Sequence, residues 1–274
     1  MSQAYPVLFV SHGAPTFAIE PGKAGARLTE VGRALPRPTA IVIVSPHWMT
    51  RGGVRVGSSQ TPETIHDFGG FPEALYRLQY PAPGNPALAE QINILLNSAG
   101  ISASTESNRG LDHGAWVPLL YLMPDADIPV VQVSMPYPLT PVDAWQLGQA
   151  LKPLREQGIL IIGSGSLTHN LYEFRGYDGD PAEYVKNFAD WFSQALRAAD
   201  MPALFDYRRN APDAERAHPS DEHLMPLFLA LGAAGEHYEM EVLEGGIAHG
   251  VLAMDSYLFR TPSTLSLTQE GTQV

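Results

Sequence analysis

The sequence predicts a single α/β domain, its central sheet mainly parallel or mixed and flanked by helices. Three observations carry that expectation. Short apolar runs alternate with helix-spaced apolar stripes along the chain. Two of the runs, residues 40–44 and 159–162, are continuously apolar, as strands covered on both faces are. No linker-like shift in composition interrupts the 274 residues, a length that suits one large domain with a well-buried core.

In order, residues 6–10 read as a short buried strand and residues 40–44 as a second, β-branched one. Residues 54–57 alternate and form a third. Residues 58–84 read as a long loop, broken by Gly69-Gly70 and by Pro62, Pro72, Pro81 and Pro83. Asn85 then caps a helix whose first turn holds Pro86. Leu88, Ile92, Leu95 and Leu96 form its apolar stripe, and Gly100 marks its end. Residues 101–105 are a strand. Asp112-His113-Gly114 leads into a helix over 116–122, and residues 129–134 are a further strand. Residues 141–156 are a helix with Leu147, Leu151 and Leu154 inward.

Residues 158–163 make the most apolar strand, expected at the centre. The helix over 181–199 carries Tyr184, Phe188, Trp191, Phe192 and Ala195 at helical spacing, which is a core stripe. A helix over 221–234 and a strand over 238–243 follow. The domain is expected to span 1–262, with a Thr/Ser/Gln-rich mobile tail over 263–274. Gly163-Ser164-Gly165 lacks the later glycine and the lysine of the nucleotide-binding loops.

The formal charge of −12 speaks against a nucleic-acid surface. With no cysteine, disulfides and thiolate-bound metals are excluded, so a metal must use His, Asp or Glu. That is the ligand set of catalytic zinc and of non-haem Fe(II). No signal-peptide pattern and no apolar stretch of membrane-spanning length occurs, so a soluble, cytoplasmic protein is expected.

Four histidines stand just past strand-like runs or at a helix start: His12, His47, His169 and His223. Strand ends of an open α/β sheet are where distant parts of a chain converge, and imidazole is the commonest protein ligand for transition metals. His12 and His47 can share one ion if their strands are neighbours, about 5 Å apart. His223 is expected on or just before a helix starting near Ser220, with Ser220 or Asp221 as its cap. These three leave coordination positions open, as a catalytic metal needs. His169 is either a fourth ligand or an acid/base beside the metal.

Asp112, His113 and His249 are expected to position substrate or to orient a ligand from behind. His66 lies in a loop that can line a pocket, while His218 and His237 read as structural. Trp48 and Trp116 suit either core or ring packing, and Arg208-Arg209 reads as solvated surface.

Together the segments Ser11-His12-Gly13-Ala14-Pro15, Ser45-Pro46-His47-Trp48, Leu111-Asp112-His113-Gly114-Ala115-Trp116, Leu167-Thr168-His169-Asn170-Leu171 and His218-Pro219-Ser220-Asp221-Glu222-His223 resemble a known family. It is the class III extradiol ring-cleavage dioxygenases related to the LigB catalytic subunit, and within it the 4,5-DOPA extradiol dioxygenase type. Asp67-Phe68-Gly69-Gly70-Phe71-Pro72 and Ala248-His249-Gly250 also resemble it. The resemblance implies a LigB-like single domain and places His12, His47 and His223 as metal ligands. It makes His169 the catalytic histidine and a further candidate ligand; His113, read from its place ahead of the helix, is a second catalytic candidate.

Fe(II) is the implied cofactor for activity, with Zn2+ able to take its place. The implied reaction opens a DOPA-like catechol beside its diol, using dioxygen. The small catechol and dioxygen are the implied partners. Two other readings fit the same residues: a zinc hydrolase, and a non-enzymatic superfamily member that binds a partner.

Overall fold

The computed structural model describes residues 4–175 and 180–262; the expected tail over 263–274 lies outside them. The strands are β1 Val7–Ser11, β2 Ala40–Thr50, β3 Val54–Gly57, β4 Ala103–Glu106, β5 Val130–Pro136, β6 Ile159–Gly165, β7 Glu239–Leu243, β8 Ile247–Ala248, β9 Leu252–Ala253 and β10 Ser256–Arg260. The helices are α1 Gly22–Ala34, α2 Glu73–Tyr76, α3 Pro86–Ser98, α4 His113–Leu122, α5 Pro141–Leu151, α6 Glu183–Arg197, α7 Met201–Phe205, α8 Tyr207–Asn210, α9 Ala214–Ala217 and α10 Met225–Ala234.

Among the described residues, eight strands form one mixed sheet in the order β4-β3-β5-β2-β6-β1-β10-β7. Its middle, β5-β2-β6-β1, is parallel. Antiparallel pairing appears where β3 joins β5 and where β10 joins β1 and β7. The single α/β domain with a mixed sheet is therefore as the sequence predicts.

The central strand β6 is buried along its whole length. Its alternation separates the two faces of the sheet. A Cβ at Gly163 would lie 2.0 Å from the Pro226 carbonyl, and one at Gly165 would lie 2.2 Å from that of His223. Ser164, between them, points the other way and donates to the Gly114 carbonyl. The α10 segment thus packs on one face of β6 and the start of α4 on the other. The Gly-Ser-Gly run has a packing purpose: bare backbone where the α10 segment approaches.

Asn85 caps α3 as expected, accepting from the Leu88 amide at 3.0 Å. Other expectations are corrected. β2 does not stop at Val44 but runs to Thr50, with a register shift between Val44 and Met49 around Pro46, so His47 lies inside the strand. α10 starts at Met225, and its N-cap Leu224 makes no side-chain capping bond. Ser220 and Asp221 are therefore not its caps: Ser220 donates to Glu222, and Asp221 accepts from the Tyr207 hydroxyl and pairs with Arg208. Arg208 is accordingly in an ion pair, and Arg209, largely exposed, pairs with Asp206 at 3.7 Å. α1 and β10 have no counterpart in the sequence reading. α1 carries a helical stripe of Ala24, Leu28 and Val31, diluted by glycine and charge. No helix among the described residues is long and apolar enough to cross a membrane.

Candidate metal centre

The parallel strands end at one edge of the sheet, where the predicted histidines gather. β1 and β2 are not neighbours, contrary to the condition set on His12 and His47; β6 lies between them. The two rings meet because both reach across the end of β6. Their Nε2 atoms are 3.2 Å apart. Gly13 follows His12 at φ +61°, a left-handed turn that suits glycine, and so bends the chain away from the ring. Gly114 admits His47 on the other side: a Cβ there would come within 2.9 Å of its Cδ2 and 2.3 Å of Ser45 Oγ.

Hydrogen bonding assigns the imidazole tautomers. Ser164 Oγ gives its proton to the Gly114 carbonyl, so it accepts from His12 Nδ1 at 3.0 Å. That leaves a lone pair on His12 Nε2. The carboxylate of Asp67, 3.8 Å from His47 Nδ1, favours the proton on that nitrogen and a lone pair on His47 Nε2. Two lone pairs then face each other at 3.2 Å. This arrangement repels unless a cation lies between them, and the separation suits two nitrogens on metal bonds of about 2.0–2.1 Å.

His223 comes from the other face of the sheet. Its backbone carbonyl accepts from Ser166 N at 2.8 Å, and its Nδ1 is 3.1 Å from Glu222 Oε1. Its Nε2 is buried without a hydrogen-bond partner. The His223 ring centroid is 5.7 Å from that of His12 and 5.1 Å from that of His47. A buried nitrogen without a protein partner beside two opposed lone pairs fits a metal ion.

His113 opens α4, where Asp112 accepts from the Ala115 amide as its cap. Its ring centroid is 4.0 Å from that of His47, and its Nδ1 is 3.0 Å from Asp67 Oδ1. The structure draws His12, His47 and His113 into one group, with candidate ligand atoms within 4.8 Å of one another, and His169, Glu222 and His223 into a second. His169 stacks face to face on His223, with centroids 3.5 Å apart and planes at 9°.

Burial dominates the electrostatics. It drives His12 and His223 well below the usual histidine value, with the neighbouring imidazoles adding to the shift. Burial brings His47 to about 3 and His169 to about 4, so both rings are neutral at pH 7. Burial pushes Asp67 upward, but its bonds and charge contacts to His113 outweigh that and hold it at about 2. Neutral imidazoles beside an ionised carboxylate are what a metal needs from histidine.

Asp112 and His249 stand away from the centre. Asp112 is fully buried, accepting from Arg109 and Gln132 behind His113, and burial raises its pKa. His249 stacks on Phe174 at 4.3 Å and approaches Thr16, lining a neighbouring hollow of about 280 Å3. Trp116 is core, its Nε1 donating to the Ile65 carbonyl. Trp48 is buried under Arg109. His66 Nε2 donates to the Leu78 carbonyl at 3.0 Å, within an aromatic group with Phe68, Tyr76 and Trp116.

Beside the histidines opens a cavity of about 490 Å3, lined by His47, His113, His169 and His223 and by an apolar wall that includes Phe68, Phe71, Leu171 and Phe174. Sequence reasoning missed Ser164, whose signal was hidden in a glycine pair, and Asp67 as an individual side chain. It also missed Leu171 and Phe174, large apolar residues placed oddly in a connection after His169.

His218 is structural, as expected, and gives a test of burial. It is fully enclosed, with Nε2 2.9 Å from the Leu167 carbonyl, and burial lowers its pKa to about 3. The unfolded chain takes up this proton near the ordinary 6.5, the folded one not until about 3. The unfolded state therefore binds more protons between those values. The stabilisation is fully present above 6.5 and is lost as pH falls, by about 1.4 kcal/mol per pH unit for this site. His218→Gln keeps a donor for Leu167 and removes the titration. Chemical denaturation of the metal-free proteins at pH 7 and pH 5 is expected to show the variant losing about 2 kcal/mol less than the parent. Equal losses would refute the assignment.

Comparison with known proteins bears on what this centre does. The sequence model of the family described as "Catalytic LigB subunit of aromatic ring-opening dioxygenase" matches residues 6–259. A protein of Beta vulgaris named "4,5-DOPA dioxygenase extradiol" is 40% identical over 255 residues, covering 92% of this chain and 95% of the relative. A protein of the same name from Escherichia coli strain K12 is 37% identical over 257 residues, covering 92% and 94%. The crystal structure of the uncharacterized protein JW3007 from Escherichia coli K12 superimposes with a TM-score of 0.74 at 30% identity, covering 93% of this chain and 99% of that one.

Proposed function

The chain belongs to the LigB family of aromatic ring-opening dioxygenases and is an extradiol ring-cleavage enzyme, and on that premise we propose that its substrate is a DOPA-like catechol opened at the histidine-lined cavity. The observation that carries the assignment of the site is the 3.2 Å approach of two histidine lone pairs beside the partnerless Nε2 of His223. His12, His47 and His223 are the ligands in this reading, and Fe(II) is the resident metal, with Zn2+ able to occupy the same nitrogens. Bound there, Fe(II) supplies Lewis acidity toward the diol and a redox couple for dioxygen.

The chain's own residues do the rest. The apolar wall holds the ring and keeps water out, and His113 and Asp67 flank the diol end. His169, neutral at pH 7, accepts a proton from the diol on a ring nitrogen and returns it later in the reaction. The stack of His169 on His223 supports this role over ligation: lone pairs lie in the ring planes, and two nearly parallel planes 3.5 Å apart do not converge on one ion. Residues 1–262 form the catalytic domain. The setting is cytoplasmic, the partners are catechol and dioxygen, and the charge of −12 supports the expectation of no nucleic-acid partner.

The test is anaerobic loading with Fe(II), followed by DOPA and air. The expected result is a yellow ring-opened product with one dioxygen consumed per ring. Iron bound at one equivalent with no dioxygen uptake on any catechol would overturn the reading. Family membership favours this oxygen chemistry over the zinc-hydrolase and non-enzymatic alternatives.

A further inference from the structure

The cavity beside the histidines has an unusual charge inventory for a site expected to take amino-acid-like catechols. Its polar lining consists of the four imidazoles; the rest of its wall is apolar, including Pro15, Phe68, Phe71, Leu171, Phe174 and Leu252. No lysine or arginine lines it among the described residues.

The guanidiniums that come nearest in sequence or contact are committed elsewhere. Arg109 is held by the His47 carbonyl and Asp112, and lies 5.3 Å from the Trp48 ring. Arg175 donates to the Asp180 carbonyl, and Arg216 makes a two-point pair with Glu173. The carboxylates closest to the imidazoles stand behind them, at the diol end, and neither lines the cavity. Asp67 is 3.0 Å from His113, and Glu222 is 3.1 Å from His223.

The apolar wall also continues outward. Leu171 is 56% exposed and Phe174 41%, and across the mouth Phe68 packs on Phe71 and Tyr76 at 5.6 and 5.2 Å. Exposed apolar side chains on both lips of a cleft gain most from an apolar ligand that removes them from water.

From this we propose that the site selects catechols whose ring substituent is apolar and uncharged, and discriminates against substituents bearing a carboxylate. The inference rests on the catechol reading above and narrows it. A carboxylate on the ring substituent, pointing away from the diol end, leaves water without finding a lysine or arginine among the side chains that line the cleft. An alkyl chain of the same length covers Phe71, Leu171 and Phe174. The zwitterionic side chain of DOPA brings the same unmatched carboxylate, so within the class of DOPA-like catechols the site opens DOPA but ranks it below an alkylcatechol.

Four compounds isolate the effect: 4-propylcatechol, dopamine, 3-(3,4-dihydroxyphenyl)propionate and DOPA. The first three differ only in whether a two-carbon spacer ends in methyl, ammonium or carboxylate. Anaerobic calorimetry on zinc-loaded protein ranks their binding without turnover, and kcat/KM in air on iron-loaded protein ranks their cleavage. Propylcatechol is expected to bind at least about tenfold tighter than the propionate, and to exceed DOPA in kcat/KM. Propionate, dopamine or DOPA binding as tightly as propylcatechol would overturn the proposal. Failure of all four rings to open would instead strike the catechol reading itself, while the calorimetric ranking would still decide this one.

Leu171→Arg supplies a second arm, because its exposure lets the fold tolerate the change. It places a cation on the lip and is expected to shift the propionate-to-propyl ratio toward propionate by about threefold or more. An unchanged ratio in a folded, metal-loaded variant would count against the proposal.

Discussion

Replacing His12 by alanine is expected to lower bound metal from about one equivalent per chain to less than about a tenth, and to abolish ring opening. Loss of a group that merely orients a ligand costs about 10–100-fold in metal affinity, and loss of the ligand itself costs more. His12 is a demanding case because everything around it is fixed. Ser164 holds Nδ1, so Nε2 has one direction to face, toward His47. Alanine there removes one of two opposed lone pairs and leaves His47 and His223 without a shared partner.

His113→Ala is the control in the same pocket. Its Nδ1 faces Asp67 Oδ1 at 3.0 Å, and in the proposed set it stands at the diol end beside the ligands rather than among them. That variant is expected to keep its metal. Metal analysis of the two variants beside the parent, with circular dichroism to establish folding, decides the matter. Equal metal in His12→Ala and the parent would sink the proposed centre, and metal lost from His113→Ala but kept in His223→Ala would move the third ligand to α4.

The fold was legible where one physical signal dominated. Continuous β-branched runs marked β2 and β6 because strands covered on both faces cannot alternate. Asn85-Pro86 marked the start of α3 because capping and a missing amide act locally. The failures came where tertiary contacts overrode local cues. Ser220 and Asp221 have the chemistry of caps, but the chain carries them past that position, and their side chains go to Glu222, Tyr207 and Arg208 instead.

At the candidate site, histidines after strand-like runs were visible because the convergence of strand ends is a rule of open α/β sheets. The means of convergence was not visible. Neighbouring strands would have been the simplest route for His12 and His47, yet β6 separates them and provides Ser164 from below. A serine between two glycines gives no sequence sign of binding an imidazole. Its direction follows from the pleat of β6, and that becomes known only once α4 and α10 are placed on opposite faces.

Replacing His169 by alanine is expected to leave metal in place while turnover falls by about two to four orders of magnitude, the range for losing a positioned acid/base. The geometry separates this outcome from its rival. A fourth ligand would need its nitrogen to converge with that of His223, but the two rings lie nearly parallel with centroids 3.5 Å apart. The stack instead leaves the edge of His169 free to face the cavity it lines. Burial holds the ring neutral at pH 7, so it is ready to take a proton before it gives one back.

A residue with that task is needed for the chemical step more than for substrate capture. KM should therefore change far less than kcat, and a catechol should still bind anaerobically to the zinc-loaded variant with parental affinity. Metal content, kcat, KM and anaerobic binding together form the measurement. Loss of metal would make His169 a ligand; unchanged kcat with metal retained would remove it from the chemistry and leave the diol proton to His113.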